Sequence, residues 1–127
     1  MERVLGIGGL FFRARDSKAL AQWYDTHLGV KVTPSDYGTS PWFQAGGPTV
    51  FAPFNQDTKY FPVEQVWMVN FRVKDLDAMV KQLRDAGITV NVDPEMYPNG
   101  RFARLYDPEK NPIELWHPNG PYSGPAV

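Results

Sequence analysis

Apolar residues recur along this chain in two alternating rhythms, and the same succession of rhythms occurs twice. Leu10-Phe11-Phe12-Arg13-Ala14-Arg15-Asp16 reads like Val69-Asn70-Phe71-Arg72-Val73-Lys74-Asp75, and each run predicts a strand ending in an Asp. Helical spacing follows both times, as Leu20, Trp23, Tyr24 and Leu28 and then as Leu76, Met79, Val80 and Leu83. Asp16 and Asp75 suit the N-cap, because a short carboxylate accepts the orphan N–H groups of a first helical turn. Gly29 and Gly87 then close the two predicted helices. Strand-like alternation resumes in Val30-Lys31-Val32 and in Ile88 to Val92.

Two further short strands are predicted in each copy. They fall at about 41–45 and 49–53 in the first, and at 101–106 and 113–117 in the second. Gly46-Gly47 and Asp107-Pro108-Glu109-Lys110-Asn111 carry the turn chemistry between them. A repeat of roughly 60 residues exceeds solenoid periods, so it reads as duplication within one domain. The expected fold is α+β, with two tandem β-α-β-β-β modules forming a curved mixed sheet. Module one spans about 4–53, a linker 54–64, module two about 65–117, and a Pro- and Gly-rich tail 118–127.

Composition narrows the function. With 43% apolar and 21% charged residues the chain is an ordinary globular domain. A net charge of −1 leaves no footprint for nucleic acid. No apolar run approaches the roughly 20 residues that span a bilayer, so no membrane partner is expected. The N-terminal residues lack the h-region of a signal peptide. The absence of cysteine removes thiolate catalysis, disulfides and cysteine metal sites. Together these features point to a cytoplasmic protein.

Three motifs in order carry a family resemblance. They are Phe12 to Asp16 followed by Trp23-Tyr24 and Leu28-Gly29, then Phe71 to Asp77 followed by Gly87-Ile88, then Asp107-Pro108-Glu109-Lys110-Asn111-Pro112-Ile113-Glu114-Leu115-Trp116. The chain resembles the vicinal oxygen chelate superfamily of glyoxalases, bleomycin-resistance proteins and extradiol dioxygenases over residues 4–118. The resemblance implies the glyoxalase/bleomycin-resistance fold, a ligand site on the concave face of the sheet, and a homodimer whose modules pair to complete each cup. Many members hold a divalent metal through four cup-facing ligands. Their positions fall here on Gly9, near Val50, on Met68 and on Glu114, and only Glu114 carries a group fit for a hard cation. No cofactor is therefore expected, and a divalent metal only if it is held in an altered way.

Strand alternation offers a different lining for the cup. If Gly9 and Met68 face inward, so do Phe11, Arg13, Asn70 and Arg72, whereas Leu10, Phe12, Val69, Phe71 and Val73 face the helices. Glu114 and Trp116 share the cup face of the closing strand, Phe102, Arg104 and Tyr106 that of the strand before it, and Trp42 joins from module one. The predicted ligand-binding set is thus Phe11, Arg13, Trp42, Met68, Asn70, Arg72, Phe102, Arg104 and Trp116, with Glu114 as the candidate catalytic residue. Aromatic walls with arginines suit a planar ligand carrying a polar or anionic group. Structural roles compete: Trp23, Tyr24 and Leu28 as core, Arg13 and Arg72 at a rim or interface, Glu114 as the partner of an arginine. His27 and His117 are minor candidates. Three functions stay open at this point. They are a metal-independent binder of an aromatic or amphipathic ligand, a lyase, isomerase or dioxygenase-like enzyme with Glu114 as base or metal ligand, and a regulatory protein whose own tail fills the cup.

Overall fold

Two Asp-capped helices and four strands make up the ordered scaffold of the computed structural model, which describes residues 1–119. Helix α1 spans Ser17–Leu28 and helix α2 spans Leu76–Asp85. The strands are β1 (Val69–Arg72), β2 (Asn91–Val92), β3 (Gly100–Tyr106) and β4 (Pro112–Pro118). The Pro- and Gly-rich tail lies, from residue 120 onward, outside the described residues.

The capping chemistry is as the sequence predicts. Asp16 Oδ1 accepts from the Ala19 N–H at 3.1 Å, and Asp75 Oδ1 from the Ala78 N–H at 3.0 Å. Helix α1 ends where Gly29 turns left-handed at φ 71°. Helix α2 buries Leu76, Val80 and Leu83, one face at helical spacing, and packs across β3 and β4.

The sheet is open, mixed and curved, in the order β1-β4-β3-β2. Strand β1 runs parallel to β4, and the other two pairings are antiparallel. This is the β-α-β-β-β succession expected of module two. The parallel pairing follows from the α2 crossover, which returns the chain to the same direction. One face of the sheet meets the helices, where Val90, Ala103, Leu105, Ile113 and Leu115 form one core with Leu20, Tyr24, Leu76, Val80 and Leu83. Burying each of these large aliphatic chains is worth about 1.5–3 kcal/mol.

Module one departs from expectation. Its helix is present, but among the described residues 4–16, 30–32, 41–45 and 49–53 form no strand. Extended segments become strands by pairing their N–H and C=O groups, and these segments have no ladder partner in the single chain. Leu10 and Phe12, expected in the core, are 55% and 39% exposed, and Phe12 packs instead on Trp67 with ring centroids 4.8 Å apart. Module one reaches the core chiefly through α1. There the buried Tyr24 hydroxyl donates to Asp107 Oδ2 at 2.7 Å, and Glu109 accepts the Arg15 and Asp16 N–H groups at 2.7 and 3.0 Å.

Candidate functional site

The sheet face opposite the helices carries two rows of polar and aromatic side chains. Register places Asn70, Glu114, Arg104 and Asn91 side by side across all four strands, and Arg72, Trp116 and Phe102 in the neighbouring row. Alternation along β4 sends Ile113 and Leu115 to the core and leaves Glu114 and Trp116 on this second face.

Glu114 is the centre of the first row and is 8% exposed. Its two oxygens are both engaged. Asn70 Nδ2 donates to Oε1 at 2.9 Å, the Tyr60 hydroxyl donates to Oε2 at 2.5 Å, and Arg104 Nη2 lies 3.8 Å from Oε2. The Arg104 guanidinium also stands 5.2 Å from the centroid of the Tyr60 ring, a cation–π contact. Burial, and then the Glu114 carboxylate beside it, push the Tyr60 hydroxyl up to about 12, so it remains a donor across the neutral range.

The second row is a ring stack. Phe102 and Trp116 lie 6.2 Å apart at an interplanar angle of 3°, and Tyr97 meets the edge of Phe102 at 5.9 Å. Trp116 Nε1 donates to the Asn99 carbonyl at 2.8 Å, which ties the 97–100 turn to β4. Gly100 closes that turn at φ 135°, and a Cβ there would collide with the His117 carbonyl and Trp116 Nε1. Only glycine fits so close an approach. Tyr97 donates to Asp93 Oδ2 at 2.8 Å, and this bond is the main reason its hydroxyl is pushed up to about 12.

Above these rows opens a cavity of about 390 Å³ lined by Tyr60, Asn91, Asp93, Tyr97, Asn99, Phe102, Ala103, Arg104 and Glu114. Of the predicted set, the structure brings Phe102, Arg104 and Glu114 to the cavity wall, with Asn70 bonded to Glu114 and Trp116 stacked on Phe102. Arg72 shares the face, but its guanidinium donates to the Ala45 and Gly46 carbonyls at 2.8 and 3.2 Å and so holds the first-half turn. Met68 is half-buried just before β1, outside the cavity lining. Phe11, Arg13 and Trp42 lie on the first half, apart from this wall, with Phe11 94% and Trp42 42% exposed. Tyr106 is 43% exposed at the strand end and lines a second cavity.

Sequence reading missed Tyr60, Asn91, Asp93, Tyr97 and Asn99. Tyr60 sits in the linker segment 54–64, which has no period to assign a facing direction. Alternation along Asn91-Val92-Asp93 is the signal that could have found two of the others. The histidines stand elsewhere: His117 Nδ1 accepts the Leu76 N–H at 3.3 Å at the start of α2, and His27 packs on Trp23 at 5.3 Å.

The residues around Glu114 do not fit a divalent metal. An amide, a phenol and a guanidinium surround the carboxylate, and a cation beside Arg104 would be repelled. Among the described residues no group of three or more His, Asp or Glu side chains could hold an ion.

A mixed, curved, open sheet with helices on one face and a ligand-sized hollow on the other is the glyoxalase/bleomycin-resistance fold. A glyoxalase-like domain model matches residues 9–116, and the chain belongs to that family within the vicinal oxygen chelate superfamily. No curated protein matches significantly. Among solved structures the chain is similar to TnmS3, an antibiotic binding protein from Streptomyces sp. CB03234. That pair is 24% identical over 82% of this chain and 88% of the other, with a TM-score of 0.51. It is also similar to a putative glyoxalase family protein from Bacillus anthracis, at 22% identity over 80% of this chain and 84% of the other, with a TM-score of 0.53. No helix among the described residues is long and apolar enough to cross a membrane.

Proposed function

We propose that the protein is a metal-independent binder of small planar aromatic or amphipathic molecules, held in the hollow against Phe102, Tyr97 and Tyr60. The observation that carries this reading is the state of Glu114. Both of its oxygens are occupied by donors from the same chain, so it is a scaffold for the wall and a poor proton acceptor for substrate. The aromatic floor supplies flat contact area, and a few polar groups supply orientation. TnmS3, an antibiotic binding protein of the same fold, supports a small-molecule binding role. We further propose a homodimer, supported by the exposed apolar residues Leu5, Phe11, Phe43 and Phe51 of the first half, 107%, 94%, 81% and 83% exposed.

Calorimetric titration with naphthalene-2-sulfonate, a planar aromatic anion, tests the site. Saturable binding in the full-length protein, weakened roughly five- to tenfold in Phe102→Ala by loss of ring contact, is expected. No saturation up to about 1 mM with this probe or with a planar aromatic cation would sink the reading. Glu114→Gln separates binder from enzyme: a binder keeps most of its affinity, whereas an enzyme with Glu114 as base keeps binding and loses turnover.

A further inference from the structure

Tyr60 and Arg104 border a second hollow as well as the first. It measures about 380 Å³ and is lined also by Asp57, Thr58, Lys59, Phe61, Pro62, Val63 and Tyr106. The two hollows share the Tyr60 and Arg104 side chains and no other lining residue. Each alone is near the low end of the ~300–1,000 Å³ that ligand sites occupy, while the two joined fall well within the upper half.

The wall between them is formed by the Tyr60 and Arg104 side chains. Tyr60 belongs to no strand or helix, and its backbone N–H donates to the neighbouring Thr58 hydroxyl at 3.2 Å. Its ring is kept in place by the hydroxyl bond to Glu114, by the Arg104 guanidinium at 5.2 Å and by Phe54 at 5.4 Å. Arg104 is not fully satisfied. Its Nε is buried without a hydrogen-bond partner, and the 3.8 Å approach to Glu114 is beyond hydrogen-bond range. A guanidinium with an idle donor gains from an anion that reaches it.

We infer that Tyr60 is the specificity-determining partition of the binding site, and that with it displaced the joined groove takes an elongated aromatic acid. This deepens the binding reading above and rests on it. The charges orient such a ligand. In the first hollow, where the rings lie against Phe102, Arg104 faces Asp93 and Glu114, so an anionic group is drawn to the Arg104 end. In the second hollow Lys59 adds to the charge of Arg104, with Asp57 the one acidic lining residue, so the acidic end of a long ligand is favoured there. Wild-type protein therefore selects the short member of a homologous pair of probes.

The test compares naphthalene-2-sulfonate with its extended analogue 6-(p-toluidino)naphthalene-2-sulfonate, titrated into wild type, Tyr60→Ala, Tyr60→Leu and Tyr60→Phe. Tyr60→Ala is expected to bind the long probe at least about tenfold more tightly and the short one a few-fold more weakly, since it opens the wall and loses a ring contact. Tyr60→Leu, which keeps an apolar side chain to pack, shows the same crossover in weaker form. Tyr60→Phe keeps the ring and stays close to wild type in its preference. Lys59→Ala placed on Tyr60→Ala removes most of the gain for the long probe. A loss of affinity for both probes in Tyr60→Ala and Tyr60→Leu, with melting temperatures unchanged, overturns the partition and makes Tyr60 an ordinary contact. Equal affinity of wild type for both probes also overturns it while leaving the binding reading intact. Absence of binding to either probe in wild type removes the binding reading itself.

Discussion

Helix α2 lies on strands of its own half of the chain, whereas α1 meets the other half through Tyr24, against Phe71 and Asp107. Both helices have an Asp cap and a buried apolar stripe, and both enter one core. Their surroundings differ. The second half supplies eight of the ten clustered core residues, and the first supplies only Leu20 and Tyr24. The apolar positions that would be strands in the first half stand in solvent, Phe11 and Phe51 among them. The difference teaches that a repeat can specify a helix locally, through caps and spacing, but can specify a sheet only where partner strands exist. The first half's unpaired positions are what a second copy would cover under the proposed dimer.

The largest effect tests this contrast directly. Leu115→Ala removes a fully buried side chain from the core and is expected to cost about 2–5 kcal/mol. Phe51→Ser, at 83% exposure, is expected to cost under about 0.5 kcal/mol in dilute protein. Thermal melts at two protein concentrations measure both. A dimer makes wild-type stability rise with concentration, and Phe51→Ser abolishes that rise. A cost for Phe51→Ser as large as that for Leu115→Ala in dilute solution would break the contrast.

Legibility from sequence follows the same line. Asp16, Asp75 and Gly29 act within one turn of chain, so their roles could be read directly. Strands β3 and β4 were legible because a turn motif joins two alternating runs, and alternation alone places Glu114, Trp116, Phe102 and Arg104 on one face. Strand pairing in module one was not legible, because Leu10 to Arg13 and residues 41–53 carry the right alternation and nothing in alternation names a partner. Tyr60 was hidden for the opposite reason. Its place at Glu114 is a contact between distant residues, made by a segment without period. The commitment of Arg72 to the Ala45 and Gly46 carbonyls was equally invisible, since backbone acceptors leave no residue signature.

A buried bond between the halves is next in size. Tyr24→Phe removes the donor at 2.7 Å from Asp107 Oδ2 and leaves a carboxylate that is 4% exposed with one donor fewer. Asn111 Nδ2 still donates to the same oxygen at 2.8 Å, so the expected cost is about 1–2 kcal/mol, toward the lower part of the range for a buried acceptor. Burial first, and Asp107 second, hold the Tyr24 hydroxyl far above the ordinary value of 10.0. A group raised on folding stabilises fully below its unfolded value, so the gap between wild type and Tyr24→Phe is constant at neutral pH and narrows above about 10. A gap that stays level into that alkaline range would show that the hydroxyl bond is not what couples the halves.

The two N-caps allow a matched pair. Asp16→Ala and Asp75→Ala each delete one side-chain bond to a helix N–H, worth about 1 kcal/mol. Equal losses of denaturant midpoint, with equal slopes, mean that α1 unfolds together with the sheet half. A smaller loss for Asp16→Ala, together with a shallower slope, means that α1 opens on its own.

The smallest effect is also the most specific to the join. Glu109, in the turn between β3 and β4, accepts the Arg15 and Asp16 N–H groups just before α1. These backbone bonds, more than the nearby Arg15 charge, hold its carboxyl below the usual glutamate range. The Arg15 ion pair spans 3.9 Å with the arginine 83% exposed, so it adds little. A carboxyl depressed on folding contributes stability above its unfolded value and loses it as pH falls through the folded one. Glu109→Gln keeps the size and one acceptor while removing the charge, so it is expected to melt slightly below wild type at pH 7. That difference should shrink as the pH drops through and below the ordinary glutamate range. Hydrogen exchange at the Arg15 and Asp16 amides locates the effect. Faster exchange there in Glu109→Gln at neutral pH, with the β4 amides unchanged, would show that this turn fastens the first half to the sheet. Uniform acceleration across β4 would instead place Glu109 in the stability of the hairpin alone.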